Sequence, residues 1–459
     1  MNEAKVPTLA ARLDVLPLGS WHIFMMALCI LSFMFDGLDT QVIGPMLPKL
    51  IGEWKISNAQ VGLLGAAGFA GMAVGSTVFG YLADAIGRLK VFAINILWYA
   101  VFSGLCALTG GFTSLFIMRF VVGIGLGGLI PVVITYLAEY VPSKKRALSM
   151  SYTSIGFQLG TVLAFTVGFT VVVPYGWRWG FIFGVIPALL VPFTLKGLPE
   201  SVRYLLKRGR IADAVKVVEG LEKNILGKVT VPSEEAAEIE KGASRQSTKV
   251  SYRDVFKSDL AKCSVMLSFL WFAMIYNSYS ITTWLPIFLM KELHYGLSHS
   301  LAFMAFSALM GIFGYIFTGY SCDHLGRRIS VTFPFLLFGI DLYLLFSFGR
   351  NPALGTVFMC LMFVANGGMW TSLYAYTPEN YPTPIRAAGT GFVHMFGRIG
   401  GIFGPAIVGF IYASVGIFGV LHVNMALLIL SLVVMAFLGK ETRGKSLEQI
   451  SGQRVAAAG

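Results

Sequence analysis

The 459-residue chain is 56% apolar and only 13% charged, about half the charged share of a soluble domain, which excludes an ordinary soluble fold. A formal net charge of +12 invites a nucleic-acid partner, but the cations are scattered in short clusters between apolar runs, and no nucleic acid is expected. Five cysteines with no CxxC spacing exclude a disulfide framework and a zinc site; neither cofactor nor metal is expected.

Twelve apolar stretches are long enough to span a bilayer, for which about 20 residues suffice: 21–48, 58–82, 89–110, 113–140, 148–171, 178–195, 260–290, 298–320, 329–349, 354–378, 387–412 and 417–439. Residues 1–20 read as a polar tail. The first span carries Asp36 and Asp39 and has no small-residue cleavage site, so it is expected to be permanent rather than a removed signal peptide. The loop after the second span reads Gly80-Tyr-Leu-Ala-Asp84-Ala-Ile-Gly87-Arg88.

The fourth span contains Arg119 and the run Gly123-Ile-Gly125-Leu-Gly-Gly128. The run matches a dinucleotide fingerprint but has no strand before it, and it reads instead as small residues that let membrane helices approach closely. Glu139-Tyr-Val-Pro142-Ser-Lys-Lys-Arg146 follows, then the lone amide Gln158 in the fifth span. Residues 196–259 form the one sizeable polar segment. Within it Ile211, Ala214, Val215, Val218 and Leu221 recur at helical spacing, which predicts a short amphipathic helix under the bundle. A second helical piece is expected through Ser233–Glu240, with a flexible linker at 242–249.

The seventh span carries Tyr276 and Asn277, and the loop after the eighth reads Gly319-Tyr-Ser-Cys-Asp323-His-Leu-Gly326-Arg327. Asp341 lies in the ninth span. The tenth carries Asn366, Trp370 and Tyr374 at spacing four, on one helix face, and ends at Glu379-Asn-Tyr-Pro382-Thr-Pro-Ile-Arg386. His394 and Arg398 lie one turn apart in the eleventh. Residues 440–459 are a second tail, disordered beyond Leu447; Gly439 to Ser446 matches a P-loop pattern but lacks a fold to cradle phosphate.

Three of these motifs occur twice. The offsets are 239 for Gly80 to Gly319, 240 for Glu139 to Glu379 and 241 for Glu200 to Glu441. A constant offset implies one duplicated half, hence an all-α membrane protein of two pseudo-symmetric six-helix bundles, 21–195 and 260–439. With the N-terminus inside, 28 of the 35 Lys/Arg face the cytoplasm, five (Lys49, Lys55, Arg178, Lys291, Arg350) lie outside, and Arg119 and Arg398 lie within spans. The positive-inside rule thus puts both termini in the cytoplasm, with anionic lipid as a secondary partner.

The repeated Gly-x-x-x-Asp-x-x-Gly-Arg loops resemble the signature of the major facilitator superfamily. The Glu-x-x-Pro-x-x-x-Arg and Pro199-Glu-Ser201 elements resemble its branch of sugar porters and organic-ion transporters. Leu373 to Thr383, with Phe396 to Pro405, is most similar to bacterial niacin transporters of the NiaP type. Aromatic-acid proton symporters share the Asp36-Gly-x-Asp39-Thr40 pattern.

The loop charges have a physical reading. Asp84 can cap a helix and pair with a cation, Arg88 with Glu139, and Arg327 with Glu379. Together with Arg146, Asp323 and Arg386 they form a candidate gate, each pair contributing about 1 kcal/mol if partly wet. Plain topology and helix capping are the alternative.

Charges inside spans cost roughly 2.5–3.5 kcal/mol each. Asp36 and Asp39 share a helix face, roughly 5–6 Å apart at Cβ. The resemblance implies an acid–Arg pair, Asp39 with Arg119, that couples to protons; a permanent pair fixing helix register is the alternative, and Asp36 could share the proton, cap a polar cluster or face the cavity. It also implies that Arg398 receives a carboxylate through a bidentate contact; the alternative is a partner on another helix, such as a backbone carbonyl. Asn366, Trp370, Tyr374, Tyr276, Asn277 and Gln158 are candidate ligands for a flat ring, with His394 a weaker one, and packing is the competing role for each.

The expected function is secondary active uptake of a small aromatic monocarboxylate, nicotinate first, with protons, by a monomer in the inner membrane. A benzoate-like acid symporter, a sugar or polyol porter, an uncoupled facilitator and a non-transporting binding protein remain as alternatives. No nucleophile–base constellation argues for an enzyme.

Overall fold

The computed structural model describes residues 8–231, 259–382 and 385–442. The helical piece expected at Ser233–Glu240, the linker at 242–249, the tail beyond Leu447 and the side chains of Arg146 and Asp323 lie outside the described part. All regular structure among the described residues is helical.

Among the described residues, eleven helices are long and apolar enough to cross a membrane. The first, Ser20–Trp54, is two helices, Ser20–Gln41 and Ile43–Trp54, meeting at Val42. The last, Ala388–Leu438, has 51 residues, roughly 75 Å at 1.5 Å per residue and far beyond a ~30 Å hydrocarbon core. It breaks at Gly416, whose φ of 75° and ψ of −164° are not helical. That break falls between the eleventh and twelfth expected spans, so this helix has the length of two crossings and the candidate crossings among the described residues come to twelve.

The second span (Asn58–Ile86) packs on the fourth (Phe112–Tyr140), and the eighth (Leu297–Cys322) on the tenth (Pro352–Glu379). A side chain on Gly123 would strike the Gly68 carbonyl, and one on Gly127 the Met72 carbonyl. The glycine run of the fourth span is therefore a helix contact. Between the two halves, the second span meets the eleventh and the fifth (Ile155–Tyr175) meets the eighth. Several close approaches lie away from the signature loops: Gly62 against Pro405, Gly409 against Asn58, Gly44 against Thr283 and Gly168 against Leu301.

Part of the segment read as a polar tail is a helix, Leu9–Val15, started by the Thr8 hydroxyl, which accepts from Ala11 N at 3.4 Å. Leu9, Leu13 and Leu16 are buried. Arg12 donates to both carboxylate oxygens of Glu222, at 2.9 and 2.7 Å, with the two side chains 2% and 1% exposed. Glu222 belongs to the helix Ile211–Leu226, whose Ala214, Val215, Val218 and Leu221 are buried as the spacing predicts. Burial raises the Glu222 carboxyl, but donors from Arg12 and Thr230 outweigh it and hold the group below its usual range.

Candidate functional site

Asp39 and Arg119 meet inside the first bundle. Arg119 Nη1 donates to Asp39 Oδ2 at 2.7 Å, and Nη2 to the Asp39 main-chain oxygen at 3.0 Å. The second carboxylate oxygen accepts from Ser103 in the third span (Arg88–Cys106) at 2.6 Å. Every oxygen of Asp39 is thus engaged, and the Arg119 guanidinium lies over the Phe181 ring at 5.8 Å. Ser103 escapes notice in the sequence because it is one hydroxyl in an apolar run.

Asp36 is different. It is fully buried, its Oδ1 accepts from Thr40 at 3.3 Å, and its Oδ2 has no protein partner. Tyr99 Oη and both side-chain polar atoms of Asn95, on the third span, are buried and unpartnered too. Asp36 lies in the field of Asp39 and of Arg398 from the other half. Asp341 is 2% exposed and its Oδ2 is also without a partner; the structure offers no explanation for it.

Arg398 reaches across the interface between the halves. Its Nη1 donates to the Met72 carbonyl at 3.0 Å and its Nη2 to the Gly127 carbonyl at 3.4 Å. Behind it stands an aromatic group. Trp370 stacks on Tyr374 with centroids 5.9 Å apart, and Trp271 meets Tyr374 edge-on at 5.0 Å and His394 at 4.1 Å. Trp271 donates to Thr377 Oγ1 at 2.8 Å, which locks it. It went unread because it lies five residues before the seventh-span pair singled out in the sequence. The Nε2 of His394 has no partner.

A central cavity of about 20 Å³ lies between the bundles, room for a water or two and too small for a ring as it stands. Of the expected ligands, Trp370, Asn366 and Gln158 line it, while Arg398, Tyr374, Tyr276, Asn277 and His394 do not. Gln41, Ser278 and Tyr315 line it and were not among the sequence-based candidates; Tyr279, beside the seventh-span pair, lines it too. Gln158 donates across the halves to the Ala308 carbonyl at 2.6 Å, and Asn366 accepts from Ser278 at 3.3 Å. Asn277 donates to the Ala273 carbonyl of its own helix at 2.8 Å, and the buried Tyr276 hydroxyl is unpartnered.

At the signature loops, Arg88 pairs with Glu139 and Arg327 with Glu379, the latter at 2.8 Å. Each pair lies within one bundle. Glu139 is 3% exposed, far drier than a surface pair. Asp84 pairs with Lys207 of the inter-bundle segment at 3.0 Å, and Arg386 Nε donates to the Pro378 carbonyl at 3.1 Å. Two further glutamates complete the pattern. Glu200 Oε1 accepts from the main-chain N–H of Arg88 and Leu89 at 2.8 and 3.0 Å, and Glu441 accepts from Arg327 and Arg328 at 2.9 and 3.1 Å. Each carboxylate sits on a helix N-terminus, where charge and orphan N–H groups favour it. The signature glycines make this possible. Gly87 and Gly326 have φ of 113° and 101°, and a side chain on either would strike the capping carboxylate. Ser201 then donates to Glu139 at 2.5 Å and Thr442 to Glu379 at 2.6 Å.

A model of the Major Facilitator Superfamily matches residues 29–384 and 316–457. The chain is 34% identical over 445 residues to the niacin transporter NiaP of Acinetobacter baylyi, covering 96% of this chain and 99% of that one. It is 30% identical to the putative niacin/nicotinamide transporter NiaP of Bacillus subtilis, over 91% of this chain and 96% of the other. A partially occluded, inward-open structure of the xylose transporter XylE from E. coli superposes with a TM-score of 0.76 at 19% identity, over 93% and 100% of the two chains. At that identity the likeness speaks for the fold.

Proposed function

The chain belongs to the major facilitator superfamily, a family of membrane transporters rather than enzymes, and from that premise we propose that it takes up a small aromatic monocarboxylate, nicotinate first, together with a proton. The observation that carries the reading is near-full-length similarity to two niacin transporters, joined to an arginine and an aromatic group at the seam between the halves. Arg398 spends two donors on the Met72 and Gly127 carbonyls. A carboxylate offers both acceptors at once, with a charge. At 4 Å and an effective dielectric of 20 the attraction is ~4 kcal/mol, enough to draw the fork off neutral carbonyls. Trp370 supplies a ring face for stacking, and Asn366 or Gln158 a donor for a ring nitrogen.

Coupling follows from the first half. Protonating a carboxylate there removes the partner of a buried arginine and biases the two-state equilibrium of the carrier. One proton with one anion moves no net charge, so uptake draws on the pH gradient alone. The signature loops face the cytoplasm in this reading, and the halves, sealed against each other on the far side, rock to alternate access.

A second reading has a specific observation in its favour. Three amides, Gln41, Gln158 and Asn366, and hydroxyls from Thr161, Ser278 and Thr282 line the cavity, more polar groups than a simple ring-acid site requires. A neutral polyol would use them. Labelled nicotinate uptake into proteoliposomes, with and without an inward pH gradient, separates these readings when challenged with benzoate, nicotinamide and a pentose. Competition by the pentose and not by benzoate would overturn the acid reading, and so would uptake that survives Arg398→Ala unchanged. Accumulation independent of the gradient would overturn coupling.

A further inference from the structure

We propose that Asn95 and Tyr99 of the third span hold ordered water against Asp36, and that this hydrated face positions the transported proton on Asp36 rather than on Asp39. The inference rests on the proton-coupled reading above and names the group that serves it.

The two carboxylates differ in what they have left to offer. Asp39 is filled by Arg119 and Ser103. Asp36 has one long bond from Thr40, a bare Oδ2 and no exposure. On the third span three more polar atoms are buried and bare: Tyr99 Oη, which lies in the field of Asp36, and Asn95 Oδ1 and Nδ2. Native interiors rarely leave buried polar groups unpaired; ordered water bonded to two to four of them is the usual resolution. Asn95, Tyr99 and Ser103 follow at intervals of four and so share one helix face. At one end of that face Ser103 donates to Asp39. At the other, Asn95 Oδ1 lies against Gly128, next to the Gly127 carbonyl that holds Arg398. The face therefore runs from the anion receptor to the acid–arginine pair, passing Asp36.

The charged groups that bear on Asp36 are Asp39 on its own helix and Arg398 from the eleventh span, and the hydroxyls of Tyr99 from the third, Tyr279 from the seventh and Tyr374 from the tenth lie in its field. The step is simple in its balance. A proton from the outer aqueous phase, relayed through the ordered water, binds Asp36 Oδ2 and makes the carboxylate neutral, while the substrate carboxylate brings Arg398 a countercharge of its own. On the inner side the substrate leaves, the proton passes to the inner aqueous phase and Asp36 is ionised again.

The test compares two modes of the full-length carrier in proteoliposomes: uptake of labelled nicotinate driven by a pH gradient, and exchange of labelled for unlabelled nicotinate at equal pH, which needs no net proton movement. Tyr99→Phe and Asn95→Val are expected to lower gradient-driven uptake by about tenfold or more and to shift its pH profile, with exchange falling far less. Asn95→Ser, which retains a hydroxyl to hold water, is expected to recover most of the loss. Equal loss in both modes, equal loss in Asn95→Ser and Asn95→Val, or an unshifted profile would overturn the inference, because each marks a packing role. A wild-type carrier indifferent to the gradient would instead fail the coupled reading itself.

Discussion

Replacing Arg12 by methionine keeps the stem that packs beside the three leucines of the N-terminal helix and removes the guanidinium. Glu222, 1% exposed, then keeps only the donors of Thr230, at 3.0 Å from the main chain and 2.6 Å from the hydroxyl. Removing one partner of a buried pair destabilises by about 3–5 kcal/mol, because the other charge is left uncompensated. At 1.4 kcal/mol per decade that is roughly a hundredfold to several-thousandfold rise in the undocked population of the helix. Hydrogen exchange followed by mass spectrometry reads this directly as lost protection over residues 9–16. Arg12→Met with Glu222→Leu is expected to regain much of the protection, since an apolar pair of similar size costs little. In the wild type, Glu222 sits below its ordinary range, so its contribution is complete above the unfolded glutamate value of about 4.3 and disappears as the pH falls through the depressed one. Protection, corrected for intrinsic rates, should stay flat through neutral pH and drop only in acid. A single variant within threefold of wild type, or a double variant no better than the single, would refute the reasoning.

Asp36→Asn keeps the size of the side chain but removes the proton site; gradient-driven uptake should collapse while exchange and folding in detergent persist, and unchanged accumulation would count against Asp36 as the carrier of the proton. Arg398→Lys supplies charge without the fork, so the apparent affinity for nicotinate should fall by about tenfold or more, measured as KM, with Arg398→Ala weaker still. Gly87→Ala forces a side chain into a positive-φ turn and against Glu200, and should cost about 1–3 kcal/mol, read as a lowered Tm in detergent, whereas the same change at Gly80, which has open space around it, should cost less than about 1 kcal/mol.

The duplicated fold was legible because motif spacing survives duplication and apolar run length is a direct measure of bilayer thickness. The pairs Arg88 with Glu139, Arg327 with Glu379 and Asp39 with Arg119 could be named because charge in an apolar setting demands a partner. What stayed hidden has a common cause. Glu200 caps a helix 112 residues before it, and nothing local announces that contact. Ser103 and Asn95 are single polar residues in apolar runs, Gln41 ends the polar stretch Asp39-Thr40-Gln41, and only the rotation of each helix tells whether they face lipid, a neighbour or the cavity. Arg398 shows the limit from the other side. The residue was read as a carboxylate receptor with a carbonyl partner as the alternative, and in this conformation the carbonyls of Met72 and Gly127 occupy it; whether they yield to substrate is a matter of energies that spacing does not encode.

The capping glutamates carry a consequence for how the molecule is built. In each half the residue that seals the signature turn comes from just beyond the sixth helix of that same half, Glu200 for the first and Glu441 for the second. The chain of each half thereby closes on itself, tail to middle, without borrowing from its sibling. Two polypeptides, severed anywhere between residues 231 and 259, would each keep their own clasp. Such fragments, made from separate messages, are expected to find one another in the bilayer as a complemented pair, as an ancestral dimer would have done before fusion.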